Sequence, residues 1–244
     1  MQGKPLAYCH TSYEPNPKGV PSDRQLNLLA SVACESAGTL AALFIDDDTP
    51  LPLRGCISFG CHLCEGNFLI GPAVDEAAEY MKEPEGGFIW VLPLAEERHK
   101  RFLDRSLAMV QGLPDETLKA ALKLAAERGA TDASKLIEHP ASGTDKYTEA
   151  LRQVFAQMLA APTVIEGYPM PIKRGASIDA AVVNPLLGAK TGEERRKLIG
   201  RYEQFLQGNR IDIWMKRQNT LKFLAIADQA AAKFRSALES GNYP

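Results

Sequence analysis

Long hydrophobic runs are missing from this sequence. Its best uninterrupted apolar stretch, Leu40 to Ile45, is far short of the roughly 20 residues that cross a bilayer. No membrane partner is expected. The opening Met1-Gln-Gly-Lys-Pro-Leu6 lacks the apolar core and small-residue cleavage site of a secretory leader, so a cytoplasmic location is expected, with reduced thiols at the five cysteines. A strong charge of one sign is lacking as well. The net charge of −2 argues against a dedicated nucleic-acid binder, and no nucleic-acid partner is expected. Ordinary contents of glycine (19) and proline (16) exclude a collagenous or low-complexity chain. There is no G-x-S-x-G elbow, no H-E-x-x-H pair and no EF-hand loop. Gly188-Ala-Lys-Thr191 lacks the glycines that let a P-loop backbone cradle phosphates.

What is present fits one large unit, or one unit with a helical extension, since 244 residues at roughly 150 per domain is about one and a half domains. Charge is unevenly spread along it. Residues 1–92 carry five Lys/Arg against twelve Asp/Glu, and residues 190–244 carry eleven against six, so the two ends attract, within one chain or between two.

The spacing predicts a strand at Leu6–Tyr13, then a helix capped by Ser22 or Asp23 whose buried face is Leu26, Leu29, Ala33, Ala37, Leu40 and Phe44. Leu53–Gly60 and Asn67–Gly71 read as the two arms of a hairpin turning near Cys64-Glu-Gly66, and Pro72 opens a helix to about Lys82. Gly87–Pro93 reads as a buried strand. Residues 94–160 are helical by periodicity. Two further strands, Pro162–Tyr168 and Ile178–Asn184, precede helices at about Glu193–Gln207 and Ile211–Leu238. In the last helix, Ile211, Trp214, Leu221 and Leu224 lie on one apolar face that Phe223, Ala227, Ala230 and Phe234 widen. The expected class is α+β, organised as a core over 1–93, a helical segment over 94–161, and a strand pair with C-terminal helices over 162–244 that pack on the core.

Two clusters invite a metal reading. Cys56, Cys61 and Cys64 form C-x4-C-x2-C with His62 inside, part of an iron–sulfur spacing, but without a fourth local cysteine. Cys56 and Cys61 are separated by an odd number of residues and face opposite sides of a strand, so buried thiols are the favoured reading over a zinc site at Cys61, His62 and Cys64. Asp46-Asp47-Asp48 offers the clustered carboxylates that hard cations need, although three acids at a helix end before prolines more often form a solvated turn. No metal site and no cofactor are expected.

The constellation Leu53-Arg-Gly-x-Ile-x-x-Gly60, a hairpin, Ile70-Gly-Pro-Ala-Val-Asp-Glu-Ala77 and Phe88-Ile-Trp-Val91 resembles the second half of a class III nucleotidyl cyclase homology domain. It is most similar to the bacterial anti-phage pyrimidine (cytidylate or uridylate) cyclases. Tyr168-Pro-Met-Pro-Ile-Lys and Val183-Asn-Pro185 look similar to the tail of that group. The resemblance implies a ferredoxin-like βα sandwich working as a homodimer, with a nucleoside triphosphate between two chains. Two aspartate-bound Mg²⁺ or Mn²⁺ ions would activate the ribose hydroxyl for attack on the α-phosphate.

The nucleotide-site positions carried over are His10, Arg54, Phe68, Asp75 and Glu79, and the sequence departs from the pattern at most of them. His10 stands where a metal-binding aspartate is expected, and the first metal aspartate belongs to a strand preceding Leu6 in the pattern. Phe68 replaces an aspartate that reads a purine. Asp75 and Glu79 replace the asparagine and arginine that position ribose and phosphate. The expectation is a catalytically degenerate cyclase-like protein, a nucleotide-binding or regulatory and structural homodimer. Two alternatives stand beside it: an active pyrimidine cyclase whose metal site is completed by further sequence or a partner chain, and an unrelated α/β enzyme or metal-binding protein using the cysteine or aspartate clusters.

Overall fold

The computed structural model describes residues 21–46, 51–65, 68–111, 162–173, 175–187, 189, 191–205 and 210–240. The expected strand at Leu6–Tyr13, with His10, lies outside them, as does most of the helical segment over 94–161.

The chain is α+β, and its sheet is mixed. Helix α1 (Asp23–Asp46) leads to β1 (Gly55–Ile57), the pair β2 (Leu63–Glu65) and β3 (Phe68–Ile70), helix α2 (Pro72–Tyr80), β4 (Ile89–Val91) and α3 (Pro93–Gln111). Beyond these lie β5 (Val164–Pro171), β6 (Ser177–Val183), α4 (Gly192–Phe205) and α5 (Ile211–Ser240). The main sheet has the order β1-β4-β6-β5, with β1 parallel to β4 and the other neighbours antiparallel. The late strand pair thus extends the sheet that β1 and β4 begin.

Period-two alternation assigns the faces. Val91, Ala181, Val183 and Val164 turn to one side, where Cys34 of α1 and Ala95 of α3 meet them. Trp90, Val182, Ala180 and Ile165 turn to the other, against Leu198 and Tyr202 of α4 and Phe223, Leu224 and Ala227 of α5. Helices therefore cover both faces, which is why β4 and β6 read as nearly continuous apolar runs. Phe88, Tyr168 and Phe223 form an aromatic trio with centroids 4.8 to 5.7 Å apart. Such pairs add about 0.5–1.5 kcal/mol beyond their area burial.

Local chemistry explains the helix starts. Ser22 and Gln25 cap α1 reciprocally, the Ser22 amide donating to the Gln25 side chain at 2.9 Å and the Gln25 amide to Ser22 Oγ at 3.4 Å. Thr191 and Glu194 do the same for α4. The Thr191 that imitates a P-loop residue is a helix cap.

Several expectations are corrected. The buried stripe of α1 is Asn27, Ala30, Ser31, Cys34, Gly38, Ala41 and Ile45, one position away from the large residues expected there. The close approach of α1 to β6 is the cause: a Cβ on Gly38 would stand 3.0 Å from the Asn184 carbonyl oxygen, so the contact face takes small residues. Leu28, Val32 and Leu43 face outward. Read as a whole helix rather than as an uninterrupted run, α1 is long and apolar enough to cross a membrane by length and composition, contrary to the expectation that no segment is. One face of it packs on the sheet and α3. The hairpin also forms differently: β1 joins β4 in the main sheet, and residues 63–65 pair with 68–70 instead. In α5, Thr220, Phe223, Leu224, Ala227 and Ala231 are buried, while Ile211 and Trp214 turn to solvent, because the core takes only part of a stripe wider than one face.

Part of the attraction between the acidic front and the basic tail is met within the chain. Asp46, first of the three aspartates, pairs with Lys197 at 3.4 Å and Arg201 at 3.1 Å. Asp47 and Asp48 lie outside the described residues.

Candidate functional site

The residues that carry the resemblance form one corner of the molecule, made by β1, the β2–β3 pair and α2. Backbone geometry builds that corner at Gly71. Its φ of +142° is open only to glycine, and a Cβ there would lie 2.7 Å from the Cys61 carbonyl oxygen. The chain turns over residues 61–62 at this point and Pro72 starts α2, with the Val74 and Asp75 amides donating to the Gly71 carbonyl at 2.9 and 3.0 Å. The Gly-Pro-Ala sequence is thus the joint between ribbon and helix.

Helix α2 lies on β1 through a polar and small-residue seam. Cys56 Sγ donates to the Ala77 carbonyl at 3.1 Å, Ser58 Oγ donates to the Glu76 carboxylate, and Gly60 sits against Ala73. Burial pushes the Cys56 thiol up to about 11, and the Glu76 charge adds to the shift. Tyr80 closes the end of the seam edge-on to Trp90 at 5.4 Å. Ser58 and Glu76 were not anticipated. The i, i+4 placement of Glu76 with Tyr80 on α2 was the available signal, but which face meets β1 depends on the register of packing.

The carried-over residues stand on the outside of this corner. Asp75 and Glu79 share the outer face of α2, one turn apart and exposed, with no described cation paired to either. Phe68 is 76% exposed. Arg54 is exposed just before β1. The structure therefore brings Asp75 and Glu79 together, while Phe68 belongs to the ribbon. Along the ribbon, Leu63 pairs with Ile70 and Glu65 with Phe68, so Leu63, Phe68 and Ile70 project from one face, and all three are exposed. Cys61 and Cys64 are exposed and Cys56 is half-buried. Among the described residues, no group of three His, Cys, Asp or Glu is placed to hold a metal ion.

A second polar cluster lies between α1 and α3. Arg98 donates to Asp23 at 2.7 Å and to Asn27 Oδ1 at 3.2 Å, and its guanidinium also stands 5.8 Å from the Phe59 ring centre. Asn27 Nδ2, Ser31 Oγ and both His99 ring nitrogens are buried with no hydrogen-bond partner among the described residues. Burial holds His99 down to about 4, so the ring is neutral at pH 7.

No protein-family model, no curated protein and no solved structure matches this chain significantly.

Proposed function

We propose that this chain is a cyclase-like protein without cyclase chemistry, acting in the cytoplasm as a homodimeric regulatory or structural module. The anti-phage setting is the one its resemblance implies. In this reading, residues 55–91 are the second half of a ferredoxin-like cyclase-type sandwich, and Phe68, Asp75 and Glu79 mark the former nucleotide site.

The observation that carries the proposal is the outer face of α2. A cyclase needs cationic character there, to hold the triphosphate and stabilise charge as pyrophosphate leaves. This chain presents the carboxylates of Asp75 and Glu79 instead, exposed and without a described cation between them. Each would repel a single phosphate charge by about 1 kcal/mol at 4 Å in water, and by more in a closed site. Phe68, exposed on the apolar face of the ribbon, suits contact with protein better than the reading of a base.

The test is incubation of the full chain with each of the four nucleoside triphosphates and Mn²⁺, followed by mass spectrometry for cyclic nucleotides. No product is expected. A cyclic nucleotide formed by the native chain and lost in Asp75→Ala would contradict the proposal.

A further inference from the structure

Two exposed apolar patches lie on different elements, and their charges are opposite. The first is the ribbon face of Leu63, Phe68 and Ile70, exposed by 57, 76 and 59%. An isolated two-stranded ribbon is marginally stable in water, and this one keeps its apolar face uncovered. It adjoins α2, whose Asp75 and Glu79 are exposed carboxylates, while Glu76 is turned inward to Ser58. The second is the start of α5, where Ile211, Trp214 and Met215 are exposed by 71, 51 and 43%. These sit at i, i+3 and i+4 and form one patch on the side away from the core. Lys222 is exposed on the same side as Met215, two turns further along, and gives this patch its basic border, while Arg210 is paired with Asp212 at 3.0 Å.

We infer that the ribbon face of one chain docks on the start of α5 in a second copy of this chain. Complementarity argues for a second copy as occupant. Each patch supplies what the other lacks: three apolar side chains with an acidic border against three with a basic one. The same pairing made twice about a twofold axis closes the assembly at two chains. Trp214 and Phe68 are the anchors expected to carry most of the affinity, since buried aromatics dominate interface energetics. The charges at the border set orientation and association rate. This inference rests on the homodimer reading above and adds the surfaces that make it.

Sedimentation velocity on the full chain over a concentration series tests it. The native protein is expected to be a dimer at micromolar concentration. Phe68→Glu and Trp214→Glu should each weaken it at least about 30-fold, a loss typical of an aromatic anchor. Both side chains are exposed in the monomer, so far-ultraviolet circular dichroism should stay unchanged, and melting temperature should fall only by the stabilisation that dimerisation supplies. Glu79→Lys and Lys222→Glu should each weaken the dimer, and combining them should restore it. A dimer that survives Phe68→Glu but dissociates with Leu43→Glu, on the outer face of α1, would overturn this inference and leave the homodimer reading standing. A native chain that is monomeric throughout would overturn both.

Discussion

Asn184 holds Pro162 across the open end of the β5–β6 pair, its Nδ2 donating to the Pro162 carbonyl at 2.9 Å. The same side chain accepts from the Leu186 amide through Oδ1, also at 2.9 Å, and the Asn184 backbone amide donates to the Thr163 carbonyl. Asn184 is fully buried. One amide group thus satisfies two backbone groups and fixes how β6 turns toward α4.

Replacing Asn184 with alanine leaves both of those groups without a partner inside the protein. Unsatisfied buried polar groups cost about 1–3 kcal/mol each, so Asn184→Ala is expected to lower stability by about 2–6 kcal/mol in urea denaturation. A loss below about 0.5 kcal/mol would show that water reaches these groups.

Much of the architecture is legible in the sequence where burial and periodicity agree. Strands β4 and β6 carry apolar residues on both faces because helices cover both, and a short apolar run between breakers announces that. Pro72 and the cap at Ser22 mark helix starts by their backbone chemistry. Residues 27–45 mislead for a physical reason: at a close helix–sheet contact the buried positions are the small ones, and the leucines flank them. The ribbon misleads because the apolar residues of 53–60 fit either a hairpin or the main sheet, and only the parallel partner at residues 89–91 decides. At the site, the sequence identifies Asp75 and Glu79 as helix neighbours. The Ser58–Glu76 bond depends on which side of α2 meets β1, which no spacing fixes.

His99 gives the stability a pH dependence of definite sign. In the unfolded chain its proton is bound near 6.5, and in the folded chain only near 4, chiefly because burial disfavours the imidazolium. Between those values the unfolded state holds more protons. Stability is therefore intact above about 6.5 and falls as pH drops toward 4, by at most about 1.4 kcal/mol per pH unit from this group. Glu35, held above its usual range by burial, acts with the opposite sign, and Asp23, held low by Arg98, contributes only at more acidic pH. Comparing the native chain with His99→Phe isolates the histidine. Urea denaturation at pH 7, 5.5 and 4.5 should show a shallower acid loss in the variant, and equal slopes would contradict the assignment.

The thiols should separate by reactivity. Cys34 is fully buried, with burial pushing its thiol up to about 12, and Cys56 is engaged with Ala77 and raised to about 11. Thiolate is the reactive form, so both should resist alkylation in the native state. Cys61 and Cys64 stand exposed at the ribbon. Iodoacetamide at pH 8, read by peptide mapping, should modify Cys61 and Cys64 before Cys34 and Cys56. Modification of Cys56 at the same rate would mean that α2 leaves β1 readily.

If the acidic and basic borders meet between two chains, isotope-mixed cross-linking will join them. Native protein prepared with natural nitrogen and with ¹⁵N is mixed, equilibrated and treated with a zero-length carbodiimide that joins carboxylates to lysines. The expected result is cross-linked peptides joining Asp75 or Glu79 to Lys222, with mixed-label pairs present beside same-label pairs. Cross-links of the same peptides found only in same-label pairs, or none between these segments, would contradict the account.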